Sequence, residues 1–205
     1  MTFNPAAALT AAKLCQLAYD KPTLRYANTQ ARVDYAPGQI DITIPGTNDR
    51  RDVLQDALVL QRDLGQGQFA HRGFASHWAT LRPVMGAAML AHARPATIRA
   101  QGHSLGAACT VLMIAATPKW FAGATVHLFG CPQVGNSNLA EIFDRNCRDL
   151  GITVWRVVNR GDPVARIEFP GDWAHVGKLV EIGEDGDREM DHPIASYIRD
   201  LEAMV

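Results

Sequence analysis

The sequence predicts an α/β fold: a mostly parallel central sheet with helices on both faces. After an initial hairpin, short apolar runs typical of buried strands alternate with longer segments of helical periodicity. No internal repeat or low-complexity linker interrupts the 205 residues, of which 47% are hydrophobic. This composition is typical of a globular core, and we expect one domain over residues 1–205.

The N-terminal third is predicted to form a helix, a hairpin and a second helix. Asn4-Pro5 is typical of a helix start, because asparagine caps helices and proline suits the first helical position. Pro37-Gly38 separates two alternating stretches, 29–35 and 38–44, and predicts a β-hairpin. An apolar period of 3.6 residues then predicts a helix from about 49 to 63.

The remaining elements follow the same alternation. A helix is predicted over 73–92, with a kink or a restart at Pro83. Its apolar stripe predicts core packing, with part of an acyl pocket as the alternative, and consists of Phe74, Trp78, Leu81, Met85 and Met89. The later segments are strands at 97–101, 124–130, 152–158 and 175–182, and helices at 104–116, 137–149 and 193–204.

The strongest local signal is a G-x-S-x-G pattern, Gly102-His103-Ser104-Leu105-Gly106, between a predicted strand and a predicted helix. In this context the serine of such a pattern sits on a sharp, strained turn and is exposed as a nucleophile. Side chains two residues before and after the serine would crowd the turn, which explains why both positions are glycine. The alternative is a chance glycine–serine turn.

A serine hydroxyl is a weak nucleophile and needs a base that is oriented by an acid. In this kind of site the order along the chain is serine, acid, histidine. His192 lies in a loop before the last helix and His175 competes with it, whereas His127 falls inside an apolar strand and is expected to be structural. Asp162 follows a strand end, where sites collect, although a turn role fits Asp-Pro equally well.

Several further blocks accompany this pattern. In chain order, the blocks are Pro45-Gly46-Thr47, Asp52–Asp56, His71–Phe74, Gly102–Gly106, Phe129–Asn136, Asn159–Val164, His175–Gly177, and His192 with Tyr197. As an ordered set that spans nearly the whole chain, they resemble the class 3 lipases, the fungal-type triacylglycerol lipase family. The resemblance implies the α/β-hydrolase fold and a serine carboxylic-ester hydrolase.

The resemblance also implies roles for individual residues. It makes Ser104 the nucleophile, Asp162 the acid and His192 the base, and it leaves His175 a supporting place. An oxyanion hole would come from the backbone N–H groups of Leu105 and Thr47. For Thr47, the alternative is a hydroxyl that caps the following helix.

Two departures from the family pattern bear on the substrate. Pro45 stands where the family has arginine, and Val53 stands where it has tryptophan. The segment Asn48–Asp52 is highly charged where secreted members carry a lid that opens on lipid. An esterase or thioesterase for small soluble esters is therefore the alternative to a lipase, and a non-catalytic binding module is a third hypothesis.

Other function classes lack support in the sequence. A net charge of −1 does not favour nucleic-acid binding. No secretory signal or membrane-spanning run is found, which predicts a cytoplasmic location, with export by another route as the alternative. We expect an ester or lipid substrate, no metal and no cofactor, because no ligand-spaced His/Cys set or nucleotide motif occurs. Three further histidines are expected to be structural or to lie on helix surfaces: His71, His77 and His92. The four cysteines are expected to be reduced and mostly buried: Cys15, Cys109, Cys131 and Cys147.

Overall fold

The computed structural model describes residues 1–46, 60–91, 94–184 and 191–205. The helices in these residues are α1 Pro5–Asp20, α2 Arg72–Leu90, α3 Leu105–Ala116, α4 Ser137–Asp149 and α5 Ile194–Glu202. The strands are β1 Leu24–Tyr26, β2 Thr29–Ala36, β3 Gln39–Ile44, β4 Gln61–Gly65, β5 Gln68–His71, β6 Thr97–His103, β7 Thr125–Phe129, β8 Thr153–Asn159 and β9 Lys178–Ile182.

A seven-stranded sheet in the order β1-β2-β3-β6-β7-β8-β9 forms the centre of the fold. β1, β2 and β3 pair antiparallel, whereas every neighbouring pair from β3 to β9 is parallel. β4 and β5 form a separate antiparallel pair. The predicted α/β class with a mostly parallel sheet is thus confirmed.

Helices pack on both faces of this sheet. Buried residues of α2, α3 and α4 join one apolar cluster, which includes Val154 of β8. Buried residues of α1 and α5 join a second cluster, which includes the neighbouring Trp155. Because successive strand residues point to opposite faces, these neighbours place the two clusters on the two sides of the sheet. All four cysteines are reduced and buried, as expected.

Both N-terminal predictions are confirmed. The Asn4 side chain accepts a hydrogen bond from the Ala7 N–H at 3.1 Å and so caps α1. β2 and β3 form the predicted hairpin, in which Ala36 pairs with Gln39 across the turn. Gly38 has φ 74°, a left-handed conformation that glycine adopts without strain.

The prediction of a helix from 49 to 63 is wrong in the part of that range that the structure describes. Residues 47–59 lie outside the described part, but Gln61–Gly65 is a strand paired with β5. Gly65, Gln66 and Gly67 all have positive φ and close a tight turn. Every residue of β4 is exposed, so no buried face imposes the apolar period, and pairing through this turn decides the local structure.

Of the kink or restart predicted at Pro83, the restart is wrong, because α2 continues through Pro83 from Arg72 to Leu90, and the kink stays a prediction. Pro83 and Ala79 are both exposed, so water reaches the Ala79 carbonyl that the missing N–H leaves free. Of the predicted stripe, Phe74, Leu81 and Met85 are buried in the core, whereas Trp78 is only partly buried.

Candidate active site

Ser104 lies between the end of β6 and the first residue of α3. Its backbone has φ 56° and ψ −127°, which a residue with a side chain adopts only under strain. The Ser104 N–H donates to the Phe129 carbonyl at 2.9 Å and ties this turn to the end of β7. The strained strand-to-helix turn is the geometry that the G-x-S-x-G pattern predicts.

The two glycines of the pattern are sterically required. A Cβ at Gly102 would lie 2.6 Å from the Gly106 carbonyl oxygen. A Cβ at Gly106 would lie 2.0 Å from the Ile44 carbonyl oxygen at the end of β3. Both distances are far below van der Waals contact, so the turn and the neighbouring strand approach each other only because no side chain is present.

Three side chains from separate loops meet at this turn. The His192 Nε2 lies 2.8 Å from the Ser104 Oγ. The His192 Nδ1 lies 3.0 Å and 2.9 Å from the two carboxylate oxygens of Asp162. A carboxylate only accepts hydrogen bonds, so Nδ1 carries the proton and Nε2 is free to accept from the serine hydroxyl. The structure therefore brings together the serine, histidine and aspartate that the sequence singles out.

The Asp162 carboxylate is buried and held by several donors. Its Oδ1 accepts from the backbone N–H groups of Val164 at 2.8 Å and Ala165 at 3.3 Å. Its Oδ2 accepts from the Tyr197 hydroxyl at 2.5 Å. Burial alone would raise the pKa of Asp162, but the hydrogen bonds from His192 and Tyr197 and the His192 charge outweigh burial and lower it. The carboxylate stays ionised beside the imidazole.

A second hydrogen-bond network joins three parts of the site through His103. The Tyr19 hydroxyl accepts from the Gly46 N–H at 2.8 Å and lies 2.7 Å from the His103 Nδ1. The His103 Nε2 lies 2.8 Å from the backbone carbonyl of His192, which fixes the proton on Nε2. Burial, followed by the neighbouring charge of His192, lowers the pKa of His103 to about 3, so this ring stays neutral.

The predicted oxyanion donors are described only in part. Thr47 lies outside the described residues. Its neighbour Gly46 is close to the nucleophile, because a Cβ there would lie 3.0 Å from the Ser104 Cβ. Leu105 is the first residue of α3. Its N–H has no acceptor within the helix, because the first four N–H groups of any α-helix lack one.

Two other histidines, His127 and His175, are not part of the group formed by Ser104, His192 and Asp162. His127 is buried within β7, as expected of a structural residue. Within the described ranges, the His175 Nδ1 is buried without a hydrogen-bond partner. Burial and the charge of Arg156 lower the pKa of His175 to about 4. Neither histidine bonds to Ser104 or Asp162.

Sequence reasoning missed two residues that shape the site. Tyr19 lies at the end of α1, where no motif marks it. Gly130 has φ 58°, and a Cβ there would lie 2.7 Å from the Asp162 Oδ2. Gly130 belongs to the Phe129–Asn136 block and directly follows β7. A glycine at a strand end that faces the site could have indicated this close approach from the sequence.

In the part of the chain that the structure covers, no group of three or more His, Cys, Asp or Glu side chains is arranged to hold a metal ion. His71 accepts a hydrogen bond from the Gly73 N–H at 3.2 Å and stacks against Phe169. This contact fits the expected structural role, whereas His92 lies outside the described residues. Among the described helices, none combines the length and the apolar character that crossing a membrane requires.

Comparisons with known proteins identify the fold and the family of the chain. The structure is similar to a lipase from Rhizopus microsporus var. chinensis, with a TM-score of 0.71, 22% identity, and coverage of 98% of this chain and 88% of that chain. It is similar to the Rhizomucor miehei triacylglyceride lipase, with a TM-score of 0.71, 18% identity, and coverage of 90% and 83%. No curated protein matches the sequence. Residues 42–171 match the profile of the family Lipase (class 3). The chain belongs to the class 3 lipase family, has the α/β-hydrolase fold and is a carboxylic ester hydrolase.

Proposed function

We propose that the chain hydrolyses carboxylic esters through an acyl-enzyme on Ser104, with His192 as general base and acid and Asp162 as the orienting carboxylate. The observation that carries the proposal is the continuous hydrogen-bonded row from the Ser104 Oγ through the imidazole to the Asp162 carboxylate. Such a row has the spacing that proton transfer requires, about 2.6–3.2 Å between heavy atoms.

Each residue has one task in the first half of the reaction. The Ser104 Oγ attacks the ester carbonyl carbon while its proton moves to the His192 Nε2. The tetrahedral intermediate collapses as the imidazolium gives that proton to the leaving alcohol oxygen. An acyl group is then esterified to Ser104.

Water completes the reaction along the same path. It replaces the alcohol, gives a proton to the His192 Nε2 and attacks the acyl carbonyl carbon. The serine oxygen leaves and regains its proton. Asp162 stays ionised throughout, which its lowered pKa favours, and it stabilises the imidazolium that forms twice per turnover.

The negative oxygen of the intermediate needs fixed donors. We assign this role to the N–H groups of Leu105 and Thr47. The start of α3 favours negative charge, because the first N–H groups of a helix have no partners within it. Removing one such donor from a preorganised site typically lowers kcat by about 10²–10³-fold.

Single substitutions test the triad. Ser104→Ala and His192→Gln are expected to lower kcat by about 10⁴–10⁶-fold, and Asp162→Asn by about 10⁴-fold, with little change in KM. Hydrolysis of 4-nitrophenyl butyrate measures these changes. Because the three side chains act as one unit, the double variant of Ser104 and His192 should be no worse than either single one. Full activity in Ser104→Ala would refute the proposal.

The charged sequence Asn48–Asp52 favours small soluble esters over fat droplets as substrates. A charged segment binds an apolar interface poorly, because charged groups lose hydration there. A chain-length series of nitrophenyl esters, with emulsified tributyrin as the comparison, tests this substrate class. Rates that peak at short acyl chains and do not rise above the solubility limit support it. A sharp rise when droplets form would identify an interfacial lipase instead.

A further inference from the structure

An apolar cavity lies far from the candidate active site. Its volume is about 180 Å³, and it is lined by residues of α2 from Trp78 to Leu90, by the C-terminal end of α3 and by the short turn that follows α3. α3 begins directly after Ser104, whereas Met113 and Ala116 at its other end line the cavity. At about 1.5 Å per residue, the helix places the cavity roughly 13–18 Å from the serine.

The wall of this cavity is aromatic and aliphatic. Trp78, Met89, Met113 and Trp120 line it, and Leu90 at its edge is 81% exposed. An apolar cavity on the order of 150 Å³ stays dry and holds a molecule the size of benzene. The space therefore suits an unbranched hydrocarbon tail of roughly six carbon atoms.

The described residues that line the cavity include one cation and no carboxylate. Arg82 lines it and is exposed, and among the ion pairs in the described residues none involves its guanidinium. All 21 aspartates and glutamates of the chain lie outside positions 64–140, the stretch that includes every residue lining the cavity. The same stretch contains five cations: Arg72, Arg82, Arg94, Arg99 and Lys119.

We propose that this cavity is a second binding site, which takes a free medium-chain carboxylate with its tail between Trp78 and Trp120 and its head group on Arg82. A guanidinium at an apolar opening matches a ligand with one anionic end and one hydrocarbon end. This is also the chemistry of the acid that carboxylic-ester hydrolysis releases. The cavity is partly open to solvent, and its volume of about 180 Å³ fits a single chain rather than a lipid surface.

Gly86 offers a substitution that closes the cavity without touching the candidate active site. It lines the cavity within α2, and a Cβ added there meets no atom within 4 Å. Gly86→Leu is expected to fill the space, while Gly86→Ala leaves most of it open. Either residue also has a higher helix propensity than glycine, so the fold should tolerate both.

The experiment is a titration with sodium octanoate below its micelle concentration, followed by calorimetry and by the tryptophan indole N–H signals in NMR. We expect saturable one-site binding that shifts the signals of Trp78 and Trp120 but not those of Trp155 and Trp173. Affinity should rise about fourfold per methylene from butanoate to octanoate, because each buried methylene contributes a similar increment. Gly86→Leu should weaken binding more than tenfold.

Charge variants test the head-group contact. Arg82→Gln should weaken octanoate binding about two- to fivefold, as expected of an exposed ion pair. Arg145→Gln, which removes an exposed arginine from α4, is the matched control and should change nothing. The octyltrimethylammonium cation, which has the same tail, should bind more weakly than octanoate.

Binding that Gly86→Leu leaves intact would overturn the proposal, as would displacement of octanoate by a covalent adduct on Ser104. Equal affinity for the anionic and cationic amphiphiles would overturn the Arg82 contact. The Ser104→Ala protein should bind octanoate as the wild type does, so failure of the proposed ester hydrolysis and failure of this site are separate results.

Discussion

Tyr19→Phe removes the hydroxyl that links Gly46 to His103 in the second hydrogen-bond network of the site. The Tyr19 hydroxyl accepts from the Gly46 N–H and donates to the His103 Nδ1, which is buried. Phenylalanine keeps the ring and its packing but loses both hydrogen bonds. The substitution therefore isolates the contribution of the hydroxyl to the placement of Gly46, the residue before Thr47.

The size of the effect follows from the groups left behind. Phenylalanine leaves a buried ring nitrogen of His103 and the buried Gly46 N–H without their partner. Each unsatisfied buried group costs about 1–3 kcal/mol. We expect the free energy of unfolding to fall by about 2–6 kcal/mol, the sum for the two groups. Because Gly46 also positions the next residue, kcat should fall between about tenfold and 10²-fold, with KM little changed.

Two measurements on one pair of variants test this reasoning. Urea unfolding gives the stability change, and 4-nitrophenyl butyrate hydrolysis gives kcat and KM separately. Tyr26→Phe is the matched control, since Tyr26 is 52% exposed and should show neither effect. If Tyr19→Phe unfolds at the wild-type urea concentration and keeps full kcat, the network has no role in holding the site together.

Three further substitutions test other parts of the account. Tyr197→Phe removes a donor from the Asp162 carboxylate, so the pKa of Asp162 should rise in an NMR titration and kcat should fall about tenfold. Burial lowers the pKa of His127 to about 4, so the unfolded chain binds a proton that the folded protein does not as pH falls from about 6.5 to 4. Stability therefore drops with falling pH, and His127→Gln should flatten that slope by about 1.4 kcal/mol per pH unit in urea unfolding curves. Gly106→Ala should yield little soluble protein, because its Cβ would lie 2.0 Å from a backbone oxygen, whereas Gly86→Ala should express normally.

The sequence was most informative where chemistry and local geometry coincide. Gly102 and Gly106 mark a turn that only glycine permits, so the pattern around Ser104 predicts both the strand-to-helix turn and its role. Residues alone left Asp162 and the choice between His175 and His192 open. The family resemblance decided both, and the hydrogen bonds of Asp162 and His192 agree with it.

Other features depend on contacts between distant parts of the chain. No local pattern connects Tyr19 with Gly46, which is 27 positions away. β4 was mistaken for a helix because its apolar spacing fitted a helical period, although an exposed strand has no buried face to impose a period. The single-domain organisation and the cytoplasmic location stay predictions.

The most direct test of the central claim is the position of a covalent label on the folded protein. A fluorophosphonate that reacts with activated serines is added, and the modified peptide is identified by mass spectrometry. We expect one adduct, on Ser104, that forms far more slowly in His192→Gln. Modification of any other serine, or an unmodified Ser104 in folded wild-type protein, would contradict it.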